Sequence, residues 1–382
     1  MNNGFQFQRL VELCRETHQE MQRRSGRTVD TYLVVRNWLF GWYIVEFEKG
    51  GAERSVMYGK ELIKRLAEQL KQAGIKGSSP TNLRKFREFY MAYAEIQQTV
   101  SVESFLHDHE TNTSQQTVSV TSLVQLSQTA DIAKSVTSEM LSRFTLGWSH
   151  YVALLTIDKP EERRFYEIEA AQNNWSVREL ERQIASSLYE RLAVSRNRDE
   201  IRQLAQQGLV IEKAADIIKN PLVLEFLGLE EKHAYSEEEL ESAIIDKLQS
   251  FLLELGKGFL FEARQKRFTF DNDHFYVDLV FYNRLLRCYV LVDLKRDKLT
   301  HQDLGQMQMY VNYFDRYVKT GDELPTIGIV LCRRKNVALV ELTLPKEANI
   351  FASKYQLYLP SKEELKRELE NIQAELSDFI RE

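Results

Sequence analysis

Two strand-like segments near the C-terminus contain charged residues that a buried strand ordinarily excludes. Asp278 lies inside the apolar run 275–282, and Asp293 and Lys295 close the apolar run 289–295. Because side chains alternate faces along a strand, Asp293 and Lys295 point the same way. If a hairpin joins the two segments, Asp278 lies opposite Asp293 or nearly so. Two carboxylates this close repel each other, so the arrangement is stable mainly with a cation between them.

This set of side chains suits metal-dependent phosphoryl chemistry. Carboxylate oxygens favour Mg²⁺ or Mn²⁺ over zinc, and the ammonium group of Lys295 would stabilise charge on a phosphate or hold an attacking hydroxide. A buried Asp–Lys ion pair that only pins the hairpin would leave the same pattern. Three observations favour catalysis: the triplet ends an apolar strand, Asp278 lies on the preceding strand, and a polar helix follows at once. That helix places Gln306 and Tyr310 on one face.

The elements that must position these residues follow a definite order. A capping box at Ser236–Glu239 starts a helix that extends to Gly256. Three strands, a helix and a further strand follow, with the ranges 259–270, 275–282, 288–295, 302–317 and 326–332. The predicted C-terminal domain is therefore α/β with an α-β-β-β-α-β core, and an amphipathic helix is predicted to close the chain at 361–380.

The order of elements, with Asp278, then Asp293-Leu-Lys295, then Gln306, resembles the PD-(D/E)XK nuclease superfamily and its restriction-endonuclease-like fold. More narrowly, several segments are similar to the YhcG-like bacterial family, which joins such a nuclease domain to a helical N-terminal domain of undefined function. The segments are 251–259, Arg264-Gln265, 275–283 and Gly305-Gln306, together with Asn82-Leu-Arg84, 148–151 and 174–183 in the N-terminal half. The resemblance covers most of the chain.

The resemblance implies a role for each of these residues. Asp278 and Asp293 would be ligands of Mg²⁺ or Mn²⁺, and Lys295 would be the catalytic lysine. Gln306 would position water or phosphate. Many relatives carry Glu at the position of Asp293, so this chain has a shorter ligand with the same chemistry.

The superfamily usually adds an acidic residue from the first core helix. We assign Glu241 to this role as a third metal ligand, because it shares a helix face with Ile244 and Leu248, the side turned towards the sheet. Glu254 lies off that stripe and is the second choice.

The net charge of −5 argues against nucleic acid at first sight, but phosphate binding depends on where the basic residues lie. Residues 257–298 include nine Lys or Arg and six Asp or Glu, which permits a basic groove on an acidic protein. Arg264, Gln265 and Lys266 are candidate contacts to a phosphate backbone. Solvated residues on an edge strand explain these three equally well.

The N-terminal half is predicted to be mainly helical. A helix at 58–73 and a turn at 74–82 lead into a helix that opens with Arg84, Lys85 and Arg87. This is the outline of a helix-turn-helix, and the three basic residues are candidate nucleic-acid contacts. A helical hairpin with a solvated basic face is the interpretation that the pattern alone favours.

Length and composition indicate a globular protein of two or three domains, with 382 residues, 43% hydrophobic and 28% charged. We predict a helical N-terminal domain over 1–195 with a flexible insert near 101–128, a linker region over 196–235 and a nuclease-like domain over 236–382. The three widely spaced cysteines suit neither a disulfide framework nor a CxxC metal site. We expect no membrane segment and a cytoplasmic protein.

The sequence therefore predicts a metal-dependent nuclease that hydrolyses DNA phosphodiester bonds, with a helical region for DNA or partner binding. One alternative is a nucleic-acid-binding or assembly module on a nuclease fold that no longer cuts. Another is a scaffold whose acidic cluster is merely structural. The sequence leaves DNA and RNA open, and a homodimer that cuts both strands is a hypothesis.

Overall fold

The computed structural model describes residues 7–24, 29–50, 60–94, 138–193, 198–229, 235–335, 337–345 and 348–359. The chain divides into two compact units, Met1–Leu180 and Glu181–Glu382. The expected insert at 101–128 and the expected last helix at 361–380 lie outside the described residues. Within the described ranges, no helix is both long and apolar enough to cross a membrane.

The N-terminal unit is helical in its described residues. Its helices are α1 (Phe7–Arg24), α2 (Val29–Gly50), α3 (Lys60–Gln72), α4 (Pro80–Ala92), α5 (Ser138–Arg143), α6 (Trp148–Leu154) and α7 (Pro160–Gln172), and α8 (Val177–Ala185) crosses into the second unit. Residues 34–48 of α2 are all buried, which is typical of a helix surrounded by others. A Cβ atom on Gly41 would lie 2.0 Å from the carbonyl oxygen of Phe86, so only glycine permits this crossing of α2 and α4.

The predicted helix-turn-helix outline is present as α3, a turn and α4. Ser79 caps α4 with its hydroxyl oxygen, and Pro80 follows in the first turn. Phe89 of α4 lies within an aromatic cluster. Its neighbours, with ring centroids 4.9 to 5.5 Å away, are Phe144, Trp148 and Tyr151. The buried face of α4 is therefore held by aromatic packing.

The C-terminal unit is an α/β domain built on one sheet. Its helices are α9 (Leu188–Ala193), α10 (Arg198–Gln207), α11 (Glu237–Asp246), α12 (Leu248–Leu255), α13 (His301–Tyr317) and α14 (Val337–Thr343), with 3₁₀ turns at Ala214–Ile217 and Glu225–Leu227. Its strands are β1 (Leu222–Val223), β2 (Phe259–Phe270), β3 (Asp273–Asn283), β4 (Cys288–Lys298), β5 (Ile327–Arg334) and β6 (Ile350–Gln356). The strand order is β1-β6-β5-β4-β3-β2. Strands β2 to β4 pair antiparallel as hairpins, and β4, β5, β6 and β1 pair parallel.

The predicted α-β-β-β-α-β order is confirmed, and β6 and the short edge strand β1 extend it. Strand β1 lies within the segment expected to be a linker. The prediction of a single helix from Ser236 to Gly256 is wrong in one detail. The helix ends at Asp246 and resumes at Leu248, because Lys247 leaves the helical conformation with φ −115° and ψ 31°.

Helices cover both faces of the sheet. Leu240, Ile244, Phe251 and Leu255 of α11 and α12 pack on one face. Leu304, Met307, Val311 and Phe314 of α13 pack on the other. Strand β4 contributes Val292 to the first core and Leu291 to the second. The charged Asp293 therefore lies in the part of β4 that is enclosed by apolar side chains on both faces.

Candidate active site

The hairpin of β3 and β4 brings the two predicted carboxylates together. Leu279 pairs with Val292, and Asp278 and Asp293 are the next residues in the same antiparallel register. Asp278 Oδ2 accepts a 2.8 Å hydrogen bond from the backbone N–H of Leu294. Asp293 is only 2% exposed, whereas Asp278 is half-buried.

Lys295 extends from the same strand towards Asp293. Its Nζ lies 2.8 Å from Asp293 Oδ2 and 3.8 Å from Glu237 Oε2. The 2.8 Å contact of Asp293 Oδ2 with Lys295 is an ion pair at the distance of a charge-assisted hydrogen bond. Glu237, the first residue of α11, is absent from the sequence-based assignments. The available signal is its position one helical turn before Glu241.

Glu241 is connected to the carboxylate pair through a side-chain amide. It is buried, and its two oxygens accept hydrogen bonds from Arg264 Nε and from Gln265 Nε2. The same Gln265 Nε2 donates to Asp278 Oδ1 at 3.1 Å. In this structure Arg264 and Gln265 contact the acidic cluster, and their expected contact with nucleic acid stays a prediction.

The two aspartates perturb each other. Burial, followed by the negative charge of Asp278, raises the pKa of Asp293 to about 7. Burial also raises the pKa of Asp278, against the opposing effects of the Leu294 hydrogen bond and the Lys295 charge. Burial by itself would lower the pKa of Lys295, but Asp293, Glu237 and Asp278 together raise it. The cluster therefore holds more negative charge than Lys295 compensates.

The excess negative charge fits a divalent cation. Mg²⁺ is usually held by one or two carboxylates, with water and substrate phosphates completing its coordination. Asp278 and Asp293 supply that number, and the single Lys295 ammonium group compensates only one of their two charges. Within the described ranges, no three His, Cys, Asp or Glu side chains come close enough to hold a metal by themselves. Each Glu241 oxygen accepts one hydrogen bond, from Arg264 or Gln265, and keeps a further lone pair with which it could join the set.

Helix α13 presents Gln306 and Tyr310 beside β4. Gln306 Nε2 donates a hydrogen bond to the hydroxyl of Tyr310, which is buried. Burial and the negative charge of Asp293 raise the pKa of Tyr310 to about 12. The buried hydroxyl of Tyr310 therefore holds the amide of Gln306 in place.

Basic residues lie beside the cluster, at the carboxyl ends of three strands. A pocket of about 380 Å³ next to Lys295 is lined by the starts of α11 and α13 and by Arg296 and Lys298. Lys298 lies opposite Arg334 of the neighbouring strand β5 in the sheet register. Arg334 and Lys354 line a second pocket of about 230 Å³. Lys298, Arg334 and Lys354 are exposed. The proximity of these residues cannot be predicted from the sequence, because it depends on the order of the strands in the sheet.

The other candidate nucleic-acid contacts differ in their surroundings. Arg84 is exposed and Lys85 is half-buried. Arg87 Nε forms a 2.8 Å ion pair with Glu48 Oε2. Lys266 forms an exposed ion pair within β2. Arg84 is therefore the most open of the four basic side chains.

Glu254, the second choice for the third acid, is engaged elsewhere. It is fully buried, with Arg191 Nη1 at 2.6 Å and Arg182 Nη2 at 3.2 Å from its oxygens. It also accepts a 3.0 Å hydrogen bond from the backbone N–H of Val223. Burial alone would raise its pKa, but Arg191, Lys219 and Arg182 lower it to about 2. Its charge is compensated without a metal.

The sequence matches known families along most of its length. Residues 215–370 match the family model "YhcG PDDEXK nuclease domain", and residues 14–191 match "DUF1016 N-terminal domain". The C-terminal unit is thus a nuclease domain of the PD-(D/E)XK class. Over 364 residues the chain is 39% identical to a protein of Escherichia coli strain K12 named "Putative nuclease YhcG", covering 93% of this chain and 91% of that protein. The chain belongs to the YhcG family.

Two solved structures resemble part of the chain. A repair endonuclease from Pyrococcus abyssi shares 19% identity with a TM-score of 0.24, covering 35% of this chain and 50% of its own. An EndoMS–dsDNA complex shares 18% identity with a TM-score of 0.23, covering 35% of this chain and 51% of its own. At these TM-scores neither likeness supports a statement about fold or substrate.

Proposed function

We propose that this chain hydrolyses phosphodiester bonds of DNA with the help of Mg²⁺ or Mn²⁺. The convergence of Asp278, Asp293 and Lys295 on the β3–β4 hairpin is the observation that supports the proposal most directly. A merely structural Asp–Lys pair has no need of a second carboxylate, whose repulsion raises the pKa of its neighbour and costs stability. Two carboxylates that share one lysine are better explained by a cation that binds between them.

Each side chain then has a defined task. Asp278 and Asp293 hold the cation, with Glu241 as the third acid. The bound cation supplies positive charge for the scissile phosphate and makes water more acidic. The Lys295 ammonium group stabilises the negative charge that develops on the phosphate, and its raised pKa keeps it protonated at neutral pH. The Gln306 amide, held by Tyr310, positions water or a phosphate oxygen.

The basic residues at the ends of β4, β5 and β6 support a polyanionic substrate. Lys298 and Arg334 are neighbours on adjacent strands, and like charges in that arrangement repel each other. A phosphate backbone lying across them relieves the repulsion and releases counterions. Lys354 extends the same basic row. DNA and RNA both offer such a backbone, and the experiment below includes both.

Cleavage assays on plasmid, linear and branched DNA, and on RNA, with Mg²⁺, Mn²⁺ or chelator, test the proposal. Asp293→Asn and Lys295→Ala probe the site, and Arg284→Ala is a matched control, since Arg284 is exposed beyond the far end of β3. We expect metal-dependent cleavage of DNA by the wild type and the control, and a loss of roughly 10²–10³-fold or more in the site variants. Circular dichroism verifies that each variant is folded.

Other outcomes identify the alternatives. A wild type that binds DNA but cuts with neither metal is a binding module. A wild type with no DNA affinity at any salt concentration is a scaffold. If RNA were cleaved faster than every form of DNA, the choice of DNA as the substrate would be contradicted, but the proposed hydrolysis of phosphodiester bonds would stand.

We also propose that the N-terminal helical unit binds DNA or a partner, and that a homodimer cuts both strands. Arg84 is exposed on α4 and is the side chain to change first. Arg84→Glu is expected to weaken DNA binding without changing the melting temperature. Sedimentation that shows a strict monomer with and without DNA would contradict the homodimer.

A further inference from the structure

Gln265 has an unusual backbone conformation for a residue inside a strand. Its φ is +48°, in the left-handed region, although Arg264 and Lys266 on either side still pair with Leu279 and Val277 of β3. A residue other than glycine or asparagine seldom adopts this conformation, because it costs free energy. Gln265 is exposed, so core packing does not explain why it is held there.

The side chain of Gln265 gives the explanation. Its Nε2 donates one hydrogen bond to Asp278 Oδ1 at 3.1 Å and another to Glu241 Oε2. Asp278 comes from β3 and Glu241 from α11, so one amide connects carboxylates of two separate elements. The amide is neutral, and it therefore fixes the positions of the two groups without removing the negative charge that attracts a cation.

We propose that Gln265 is a positioning residue for the metal site. It holds the Glu241 and Asp278 carboxylates in converging positions before a cation arrives, and the left-handed backbone at Gln265 is kept because it aims the amide at both. This inference rests on the proposed function, since Asp278 and Glu241 matter here as metal ligands. Without the amide, Glu241 keeps its bond from Arg264 and Asp278 keeps its bond from the Leu294 N–H, but the direct link between the two carboxylates is lost. The cation must then fix their spacing by itself, at a cost in affinity.

Two substitutions at Gln265 distinguish the contribution of its side chain from that of its backbone conformation. Gln265→Ala and Gln265→Gly both remove the amide, but only glycine relieves the left-handed backbone. Inside an ordinary strand glycine is less stable than alanine. Arg267→Ala and Arg267→Gly are the matched control, because Arg267 is an exposed residue of β2 that pairs regularly with Tyr276.

The affinity for Mn²⁺ is measured by calorimetry and by electron paramagnetic resonance on the full chain, and thermal melting is measured without metal. We expect both Gln265 variants to bind Mn²⁺ about 10- to 100-fold more weakly than the wild type. We also expect Gln265→Gly to melt at a higher temperature than Gln265→Ala, with the opposite order at Arg267. The Arg267 variants should bind Mn²⁺ as the wild type does.

Each contrary result has a distinct meaning. If the wild type binds Mn²⁺ and Gln265→Ala binds it equally well, the positioning role is wrong while the proposed function stands. If Gln265→Gly melts below Gln265→Ala, the backbone of Gln265 is not held against its preference, and that part of the inference is wrong. If the wild type binds no Mn²⁺, the metal site of the proposed function and the role of Gln265 both fail.

Discussion

Glu254 and Asp293 are both buried carboxylates of the C-terminal unit, exposed by 0% and 2%, but their surroundings shift their pKa values in opposite directions. Arg191, Lys219 and Arg182 surround Glu254 and lower its pKa to about 2, against the effect of burial. Asp293 faces a second aspartate and a single lysine, and burial together with that aspartate raises its pKa to about 7.

The difference between the two clusters lies in the supply of positive charge. Glu254 is compensated by residues of its own unit, and it holds together the segments that carry those residues. Asp293 is left under-compensated, which destabilises the metal-free protein. Under-compensated charge in an enclosed strand is typical of a functional site, where a ligand provides what the fold does not. Burial alone therefore does not tell a structural carboxylate from a functional one.

The largest effect on stability is expected from neutralising the compensated carboxylate. Glu254→Gln leaves the fully buried Arg191 without its counter-charge, whereas Arg182 keeps its ion pair with Glu225, and the loss at Arg191 should lower the free energy of unfolding by about 3–5 kcal/mol. Asp293→Asn removes a repulsion instead and should leave the free energy of unfolding unchanged or raise it. Urea unfolding at neutral pH, with chelator present, measures both. Equal losses in the two variants would contradict the comparison.

The two clusters should also give stability opposite dependences on pH. The folded-state pKa of Asp293, about 7, lies above its ordinary value of 3.8, so the folded protein binds the extra proton between these values. The free energy of unfolding of the metal-free protein should therefore fall as the pH rises from about 4 to about 7. Glu254 has a folded-state pKa of about 2, below its ordinary 4.5, and its contribution is lost as the pH falls through that range.

Unfolding in urea at successive pH values, with chelator, tests this pair of slopes. Asp293→Asn should flatten the fall between pH 4 and 7 and leave the loss of stability in acid unchanged. If the stabilities of the wild type and of Asp293→Asn change in parallel between pH 4 and 7, the raised pKa of Asp293 is contradicted.

A divalent cation should stabilise only the under-compensated cluster. At a metal concentration about 100 times the dissociation constant, binding adds roughly 2.7 kcal/mol to the free energy of unfolding. The melting temperature of the wild type should rise with Mg²⁺ or Mn²⁺, more at pH 8 than at pH 5, because protons compete at Asp293. Scanning calorimetry provides the measurement, with Asp293→Asn as the variant that should not respond. An equal rise in that variant would place the cation elsewhere.

The smallest effect is expected at the rim of the same cluster. Glu237 is 48% exposed and lies 3.8 Å from the Lys295 ammonium group. Because solvent screens so open an ion pair, Glu237→Gln should change the free energy of unfolding by less than about 1 kcal/mol. Cleavage should persist, since Asp278 and Asp293 remain. Loss of cleavage in a variant of unchanged stability would show that Glu237, rather than Glu241, is the third acid.

The β3–β4 hairpin and the shared face of Asp293 and Lys295 could be predicted from the sequence, because strand alternation is a local rule. The α-β-β-β-α-β order followed from capping boxes and apolar runs in the same way. The apolar face of the predicted helix also distinguished Glu241, which lies on that face, from Glu254, which lies off it. This distinction held even though the helix breaks at Lys247. Local patterns thus located the elements and most of the acidic residues.

Other features depend on distant parts of the chain. Arg191, the closest partner of Glu254, is 63 residues away in sequence, and no periodic pattern connects the two. The left-handed conformation of Gln265 is likewise invisible, since glutamine in an apolar-polar run predicts ordinary extended strand. The row of Lys298, Arg334 and Lys354 depends on strand order. Each of these three features depends on tertiary packing, which local patterns in a single sequence do not predict.

The position of Arg191 bears on how this protein can change in evolution. Arg191 ends the segment that matches the N-terminal family model, 14–191, but it is fully buried against Glu254 in the C-terminal unit. A gene fusion that joined residues 215–370 to a different upstream domain would discard Arg191 and Arg182 and leave Glu254 buried without them. We therefore expect the nuclease domain to be exchanged between proteins only as a cassette that begins before Arg182, or to be inherited together with its own N-terminal partner.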